Sequence, residues 1–154
     1  MAAPPDRDFS REPVLMLRIL KSARDRGLEI HPLGLRALIR NARYAARLRG
    51  GAEANALFLD ILTGKNSGRW LRALNEAGVL SRLIPEWARI VGLMQFDTYH
   101  VFTVEEHTIE AVGVMNALER GELDTVAPVA SELVGQLQSR RALYVALLLH
   151  DIAK

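Results

Sequence analysis

Apolar residues recur three and four positions apart along almost the whole chain, and most of these runs stop at a glycine. That spacing lines one face of a helix, whereas a half-buried strand needs alternation by two. Val14, Leu17, Ile19 and Leu20 supply the first stripe, with Ser10 as its cap, Pro13 in its first turn and Gly27 at its end. His31-Pro32 opens a second helix that runs to about Arg49 through Leu35, Leu38, Ile39 and Ala42, and Gly50-Gly51 stops it. A third covers Glu53 to Leu62, and the stretch from Thr63 to Gly68 breaks the chain. A fourth spans Arg69 to Glu76 and closes at Gly78; Leu80 to Ile84 makes a short turn, and Pro85 opens another segment through Gly92. Residues 93 to 102 have no helical period and hold three of the seven Phe and Tyr, the composition of a packed connector between two bodies. Thr103-Val-Glu-Glu106 has the spacing of a capping box, and its helix continues to about Arg120. Further helices are expected over Val126 to Gln138 and from Ser139 to the end. Strand signals are poor: β-branched runs are short and no Asn-Gly or Asp-Gly pair joins alternating stretches. The predicted fold is all-α, a multi-helix bundle of about eight helices.

Composition excludes several function classes. At 154 residues, 49% hydrophobic and 25% charged, the chain can bury a core without cross-links. With no cysteine it has no thiol nucleophile and no thiolate metal cage. The apolar run Val145–Leu149 is far short of the ~20 residues a bilayer helix needs, so no membrane partner is expected. The opening MAAPPDRDFS lacks the basic-then-apolar pattern of a signal peptide, which fits a cytoplasmic location.

The net charge of +2 hides an asymmetry: residues 1–50 hold 11 basic against 5 acidic side chains, and residues 100–154 hold 4 against 8. Arg36, Arg40, Arg43 and Arg47 share one face of the second helix, a stripe that could track phosphates. Tyr44 is the only interleaved aromatic, and every soluble helix needs a polar face, so a solvated face is expected and nucleic acid is not.

Two helices carry histidine where the apolar stripe places a core residue. On the helix from Thr103 the stripe runs Val104, 107 or 108, Ala111, Met115 and Leu118; on the last it runs Leu143, Ala146, Leu147 and 150. His107 and His150 are therefore expected to turn inward, with Asp151 able to reach the same point. Two imidazoles and a carboxylate suit a divalent transition metal. An inward histidine is also, and more often, simply a hydrogen-bonded core residue, and a histidine near a helix C-terminus is favoured by the dipole.

The letters add to the spacing. His107 in EEHT, followed 43 residues later by His150-Asp151 in LLLHDIAK, resembles the HD superfamily of metal-dependent phosphohydrolases. FSREPVLMLRIL and GVLSRLIPEWARIVGLMQFDTYHVFTVEEHT resemble the central region of the bifunctional PII uridylyltransferase/uridylyl-removing family, over essentially the whole chain. The resemblance implies a helical connecting domain over 1–98 and the first part of an HD domain over 99–154. It implies His107, His150 and Asp151 as ligands of a divalent metal, Mn²⁺ or Mg²⁺. It also implies Lys154 as a cation that steadies phosphate, and it places His100 in the family's signature block, facing phosphate or packed in the connector. The partner it implies is the PII signalling protein, whose uridylyl group such an enzyme adds and removes.

The departures are as informative. The Gly-Ser and paired-Asp transferase motif, the last HD aspartate and the glutamine-sensing ACT domains have no counterpart here, so this chain is expected to be an inactive piece of an enzyme. The alternative is a non-catalytic helical connector that relays shape changes between flanking domains. The last helix has leucines on more than one face (Leu143, Leu147 and Leu148), so exposed apolar surface and self-association are expected.

Overall fold

The computed structural model of the protein describes residues 6–94 and 102–152, and His100 and Lys154 lie outside the described residues. Among the described residues there are nine α-helices and no strand beyond one isolated bridge between Met94 and Thr103. The all-α expectation holds.

The first helix is one that the periodicity missed. α1 (Asp6–Arg11) contains Ser10, the expected cap, while α2 (Leu15–Asp25) begins after Val14 with no side-chain cap. α1 has a single fully buried anchor, Phe9, too little to make a stripe. Its start is tied down by Asp6, whose carboxylate accepts from Arg40 at 3.1 Å and from Asn41 Nδ2 at 2.8 Å.

The second expected helix is two pieces. α3 (Pro32–Asn41) opens as predicted, with the His31 ring accepting from the Leu33 amide at 3.2 Å and Pro32 in the first turn. At Asn41 the side-chain amide donates to Ala37 O at 2.8 Å, competing with the backbone ladder, and the chain tightens into a 3-10 helix over Ala42–Leu48.

α4 (Ala52–Thr63) and α5 (Ser67–Glu76) follow, then α6 (Leu80–Leu83) and a 3-10 turn over Pro85–Arg89. These elements converge on a core that fully buries Leu17, Leu20, Ile61, Leu71, Leu74 and Trp87. Each such side chain is worth about 1.5–3 kcal/mol in transfer free energy. The Trp87 indole N–H donates to Asn75 Oδ1 at 2.8 Å, so the largest of the fully buried side chains among the described residues keeps its polar atom satisfied.

α7 (Val104–Glu119) lies across α5, and the two backbones meet at a pair of glycines. A Cβ built on Gly68 would stand 3.1 Å from the Gly113 Cα. Arg72 of α5 adds ion pairs to Glu106 at 3.1 Å and Glu110 at 3.4 Å.

The start of α7 departs from the expected capping box. The Thr103 side chain makes no cap bond, and Glu106 is turned toward Arg72. The incoming strand of chain does the work instead: Val104 N donates to Leu93 O at 2.9 Å, and Gly92 N donates to the buried Glu105 Oε1 at 2.9 Å. Leu93, Met94 and Phe102, the described ends of the expected packed connector, are exposed.

α8 (Pro128–Val134) is shorter than expected and buries no residue, leaving Val126, Val129 and Leu133 exposed. α9 (Arg140–Leu149) starts at Ser139, whose hydroxyl accepts from Ala142 N at 3.4 Å, and packs on α7. Arg140 bonds Glu119 near the end of α7, while His150 lies near His107 of its first turns. The two helices therefore run antiparallel.

Candidate metal centre

α7 buries Val104, Glu105, Thr108, Ile109, Val112, Met115 and Asn116, a face turned by about one position from the expected stripe. His107 falls on the exposed side of it, and on α9 the buried residues are Tyr144 and Leu148, with His150 exposed beyond the helix end. The expectation that both imidazoles turn into the core is corrected. α7 is apolar around much of its circumference, so periodicity leaves its orientation open. The Gly68–Gly113 crossing and the buried polar anchors Glu105 and Asn116 fix it instead.

The two rings nevertheless approach each other at the surface. Their centroids are 6.1 Å apart with planes inclined by 64°. One donor atom from each of His107, His150 and Asp151 lies within 4.8 Å of the other two. An ion with bonds of about 2.1 Å separates adjacent donors by roughly 3.0–3.4 Å and opposed ones by about 4.2 Å, so a gap at the 4.8 Å limit must close by about 0.6–1.8 Å. The His107 backbone is held by Thr103 O at 2.9 Å, within the first turn of α7.

His150 is the better defined of the two rings. Its Nδ1 sits 2.7 Å from Leu147 O, a carbonyl in the last turn of α9. A carbonyl only accepts, so Nδ1 carries the proton and the neutral ring keeps its lone pair on Nε2. Nε2 faces Asp151 Oδ2 at 3.0 Å. Two lone-pair atoms at that separation need positive charge between them, either a second ring proton or a cation. The Asp151 side chain is only 6% exposed and sits at a helix C-terminus, where the dipole adds negative potential to that of the carboxylate. This donor set fits a divalent cation: one imidazole has its tautomer fixed by a backbone acceptor, and a carboxylate stands beside it.

The other candidate surface is largely consumed internally. Of the arginine stripe, Arg40 bonds Asp6, Arg43 bonds the Tyr44 hydroxyl at 2.9 Å, and Arg47 donates to Ser10 O at 2.6 Å. A cleft of about 570 Å³, lined by Lys65, Asn116, Glu119, Arg120, Ser131 and Arg140, lies at the opposite end of α7 from His107. Among the described residues no helix is long and apolar enough to cross a membrane.

Comparison with known proteins identifies the family of the chain. The profile of the uridylyltransferase GlnD third domain matches residues 1–83. The chain is 50% identical over 151 residues, 97% of its length, to a bifunctional uridylyltransferase/uridylyl-removing enzyme of Azospirillum brasilense. It is 48% identical over 147 residues to the Rhodospirillum rubrum enzyme of that name, covering 95% of the chain. It is 46% identical over 156 residues to the Novosphingobium aromaticivorans one, covering 100% of it. The chain spans about one sixth of the length of these curated relatives, 16%, 16% and 17% respectively. No solved structure matches it.

Proposed function

The chain belongs to the uridylyltransferase GlnD third-domain family, and from that premise we propose that it joins a helical connector to the opening helices of a metal-dependent phosphodiester hydrolase unit. The connector covers residues 1–98 and the hydrolase portion 99–154. His107, His150 and Asp151 hold a divalent cation, Mn²⁺ or Mg²⁺, and the substrate is a uridylylated tyrosine of the PII signalling protein in the cytoplasm. What supports the reading is the convergence of three donor atoms from α7 and the end of α9 to within 4.8 Å.

His107, His150 and Asp151 would hold the cation, which would supply Lewis acidity for a phosphodiester oxygen and an attacking water. The chain's own groups do the rest. Leu147 O holds the His150 ring in the tautomer that aims Nε2 at Asp151. Both imidazoles stay open to solvent, which leaves room for a phosphate. Lys154 and His100 are the candidates for steadying the phosphate's negative charge.

Two measurements test this. Titrating the chain with Mn²⁺ or Co²⁺ is expected to show one site, with His107→Ala and His150→Ala each weakening it by roughly tenfold or more. Binding that is unchanged in the His107→Ala/His150→Ala double variant sinks the metal reading. In a full-length relative, the change aligned with His150→Ala is expected to stop UMP release from uridylylated PII while UMP attachment continues. Loss of neither activity, or of attachment alone, contradicts the assignment.

A further inference from the structure

We propose that Tyr144 is a positioning residue: with Asn116, Glu119 and Arg140 it forms a register lock at one end of the α7–α9 pair that sets the approach of His107 and His150 at the other. The consequence for metal affinity rests on the metal reading above; the consequence for the two rings does not.

Tyr144 is fully buried. Its hydroxyl donates to Glu119 Oε2 at 2.6 Å and accepts from Asn116 Nδ2 at 3.1 Å. Asn116, 3% exposed, also donates to Gly64 O at 3.0 Å, and its Oδ1 accepts from Asn66 N at 2.9 Å and from Arg120 at 2.8 Å. Arg140 grips both carboxylate oxygens of Glu119 and reaches Thr63 O. Two residues of α7, two of α9 and the α4–α5 loop are thus joined in one satisfied network.

The network is placed to control register. From Glu119 back to His107 is about 18 Å of helix, and from Arg140 forward to His150 about 15 Å, at 1.5 Å per residue. The two tie points therefore bracket the same antiparallel run. Between them the residues buried on the facing helices are mostly apolar (Ile109, Val112, Met115 and Leu148), and apolar contact is non-directional. A slip of α9 by one residue moves His150 by about 1.5 Å and turns it by about 100°. Directional bonds to a single tyrosine hydroxyl distinguish one register from the next, and apolar area does not. The network also reaches Thr63, Gly64 and Asn66, so a shift of the α4–α5 loop acts on the same lock.

The test uses the 154-residue chain with Tyr144→Phe, the conservative Glu119→Gln, which still offers Tyr144 an acceptor, and Leu71→Ala as a control for general loss of stability. Two readouts are taken: the cross-peak between the His107 and His150 ring protons in nuclear Overhauser spectra without metal, and Co²⁺ affinity from its visible absorption. Tyr144→Phe is expected to lose the cross-peak and weaken Co²⁺ binding roughly tenfold. Leu71→Ala is expected to keep both, and Glu119→Gln, which keeps an acceptor for Tyr144 but loses one of the two oxygens that Arg140 grips, to weaken Co²⁺ binding less than Tyr144→Phe does. A native cross-peak and native affinity in Tyr144→Phe overturn the lock. If the unaltered chain binds no Co²⁺, the metal reading falls, and the cross-peak still decides the lock.

Discussion

Replacing Gly68 by alanine is expected to destabilise the protein, and replacing Gly113 by alanine to stabilise it or leave it unchanged, although the two glycines face each other. A Cβ on Gly68 stands 3.1 Å from Gly113 Cα and 3.5 Å from both Gly113 N and Ile109 O. Carbon pairs prefer about 3.5–4.0 Å, and the obstructing atoms are backbone, which cannot rotate away. α5 and α7 must part by several tenths of an ångström along their crossing, and overpacking of this kind costs about 1–3 kcal/mol. Alanine returns less than about 1 kcal/mol of helix propensity, since Gly68 lies in the first turn of α5. The net loss is about 1–2 kcal/mol, a fall of roughly 2–8 °C in Tm for a chain of this size. On Gly113 the added Cβ meets nothing closer than 3.9 Å, and the residue sits in the interior of α7, so the expected change is a gain of about 0.5–1 kcal/mol. Urea denaturation followed by circular dichroism measures both, read as a midpoint shift at constant m. The double variant should be worse than the sum, because the two methyl groups then meet. A Gly68→Ala protein as stable as the native one, or equal losses at the two positions, refutes the crossing geometry.

Three further outcomes follow from buried polar atoms. Trp87→Phe leaves Asn75 Oδ1 without its donor, whereas Trp70→Phe removes an indole N–H that has no partner; the first change should cost about 1–2 kcal/mol more in urea denaturation. Burial, with the Glu119 bond second, pushes Tyr144 up to about 12 from an ordinary 10. A raised folded value gives stability that is complete below pH 10 and lost as pH climbs toward 12. The stability gap between native and Tyr144→Phe should therefore narrow over that range, and a constant gap would show that Tyr144 is not the group responsible. Arg24, 9% exposed, bonds Asp60 at both its backbone and its carboxylate; Arg24→Met should lower stability by about 1–3 kcal/mol, and a salt-insensitive, unchanged midpoint would contradict that.

Much of the fold was legible because helix boundaries are written locally. Glycines at 27, 50 and 78, each with positive φ, stop helices where the spacing said they would, and His31-Pro32 starts one as expected. What escaped had its cause elsewhere in the chain. α1 exists because Asp6 finds Arg40 and Asn41 more than thirty residues away. The break at Asn41 is a side chain competing for Ala37 O, which no apolar period records. Gly68 is legible as the end of a loop, yet it is the contact point of two helices, a role visible only once Gly113 is opposite it. The candidate site divides the same way. The letters at 107, 150 and 151 were readable, but their orientation was not, since α7 carries apolar residues on both sides of His107. The Tyr144 network spans 28 residues to Asn116 and 77 from Arg140 to Thr63, beyond any pattern a sequence window holds.

That misjudged orientation bears on what the cluster is suited to do. Inward-turned imidazoles would enclose an ion in a fully coordinated socket, the arrangement of a structural site. A hydrolytic site instead needs an open side from which a phosphate and a water can approach. His107 and His150 are exposed while the Asp151 side chain is nearly covered, so one donor is sheltered and two face outward. A sheltered carboxylate at a helix end, with two imidazoles at the rim and one of them, His150, held by Leu147 O, combines fixed geometry with access. The rim donors lie on separate helices, so their spacing depends on how α9 is seated on α7 as well as on their own rotamers. The buried polar bonds at the far end of that pair reach Thr63 O and Gly64 O, so in the proposed reading the α4–α5 loop would have a physical means of acting on the cluster at the near end without touching it.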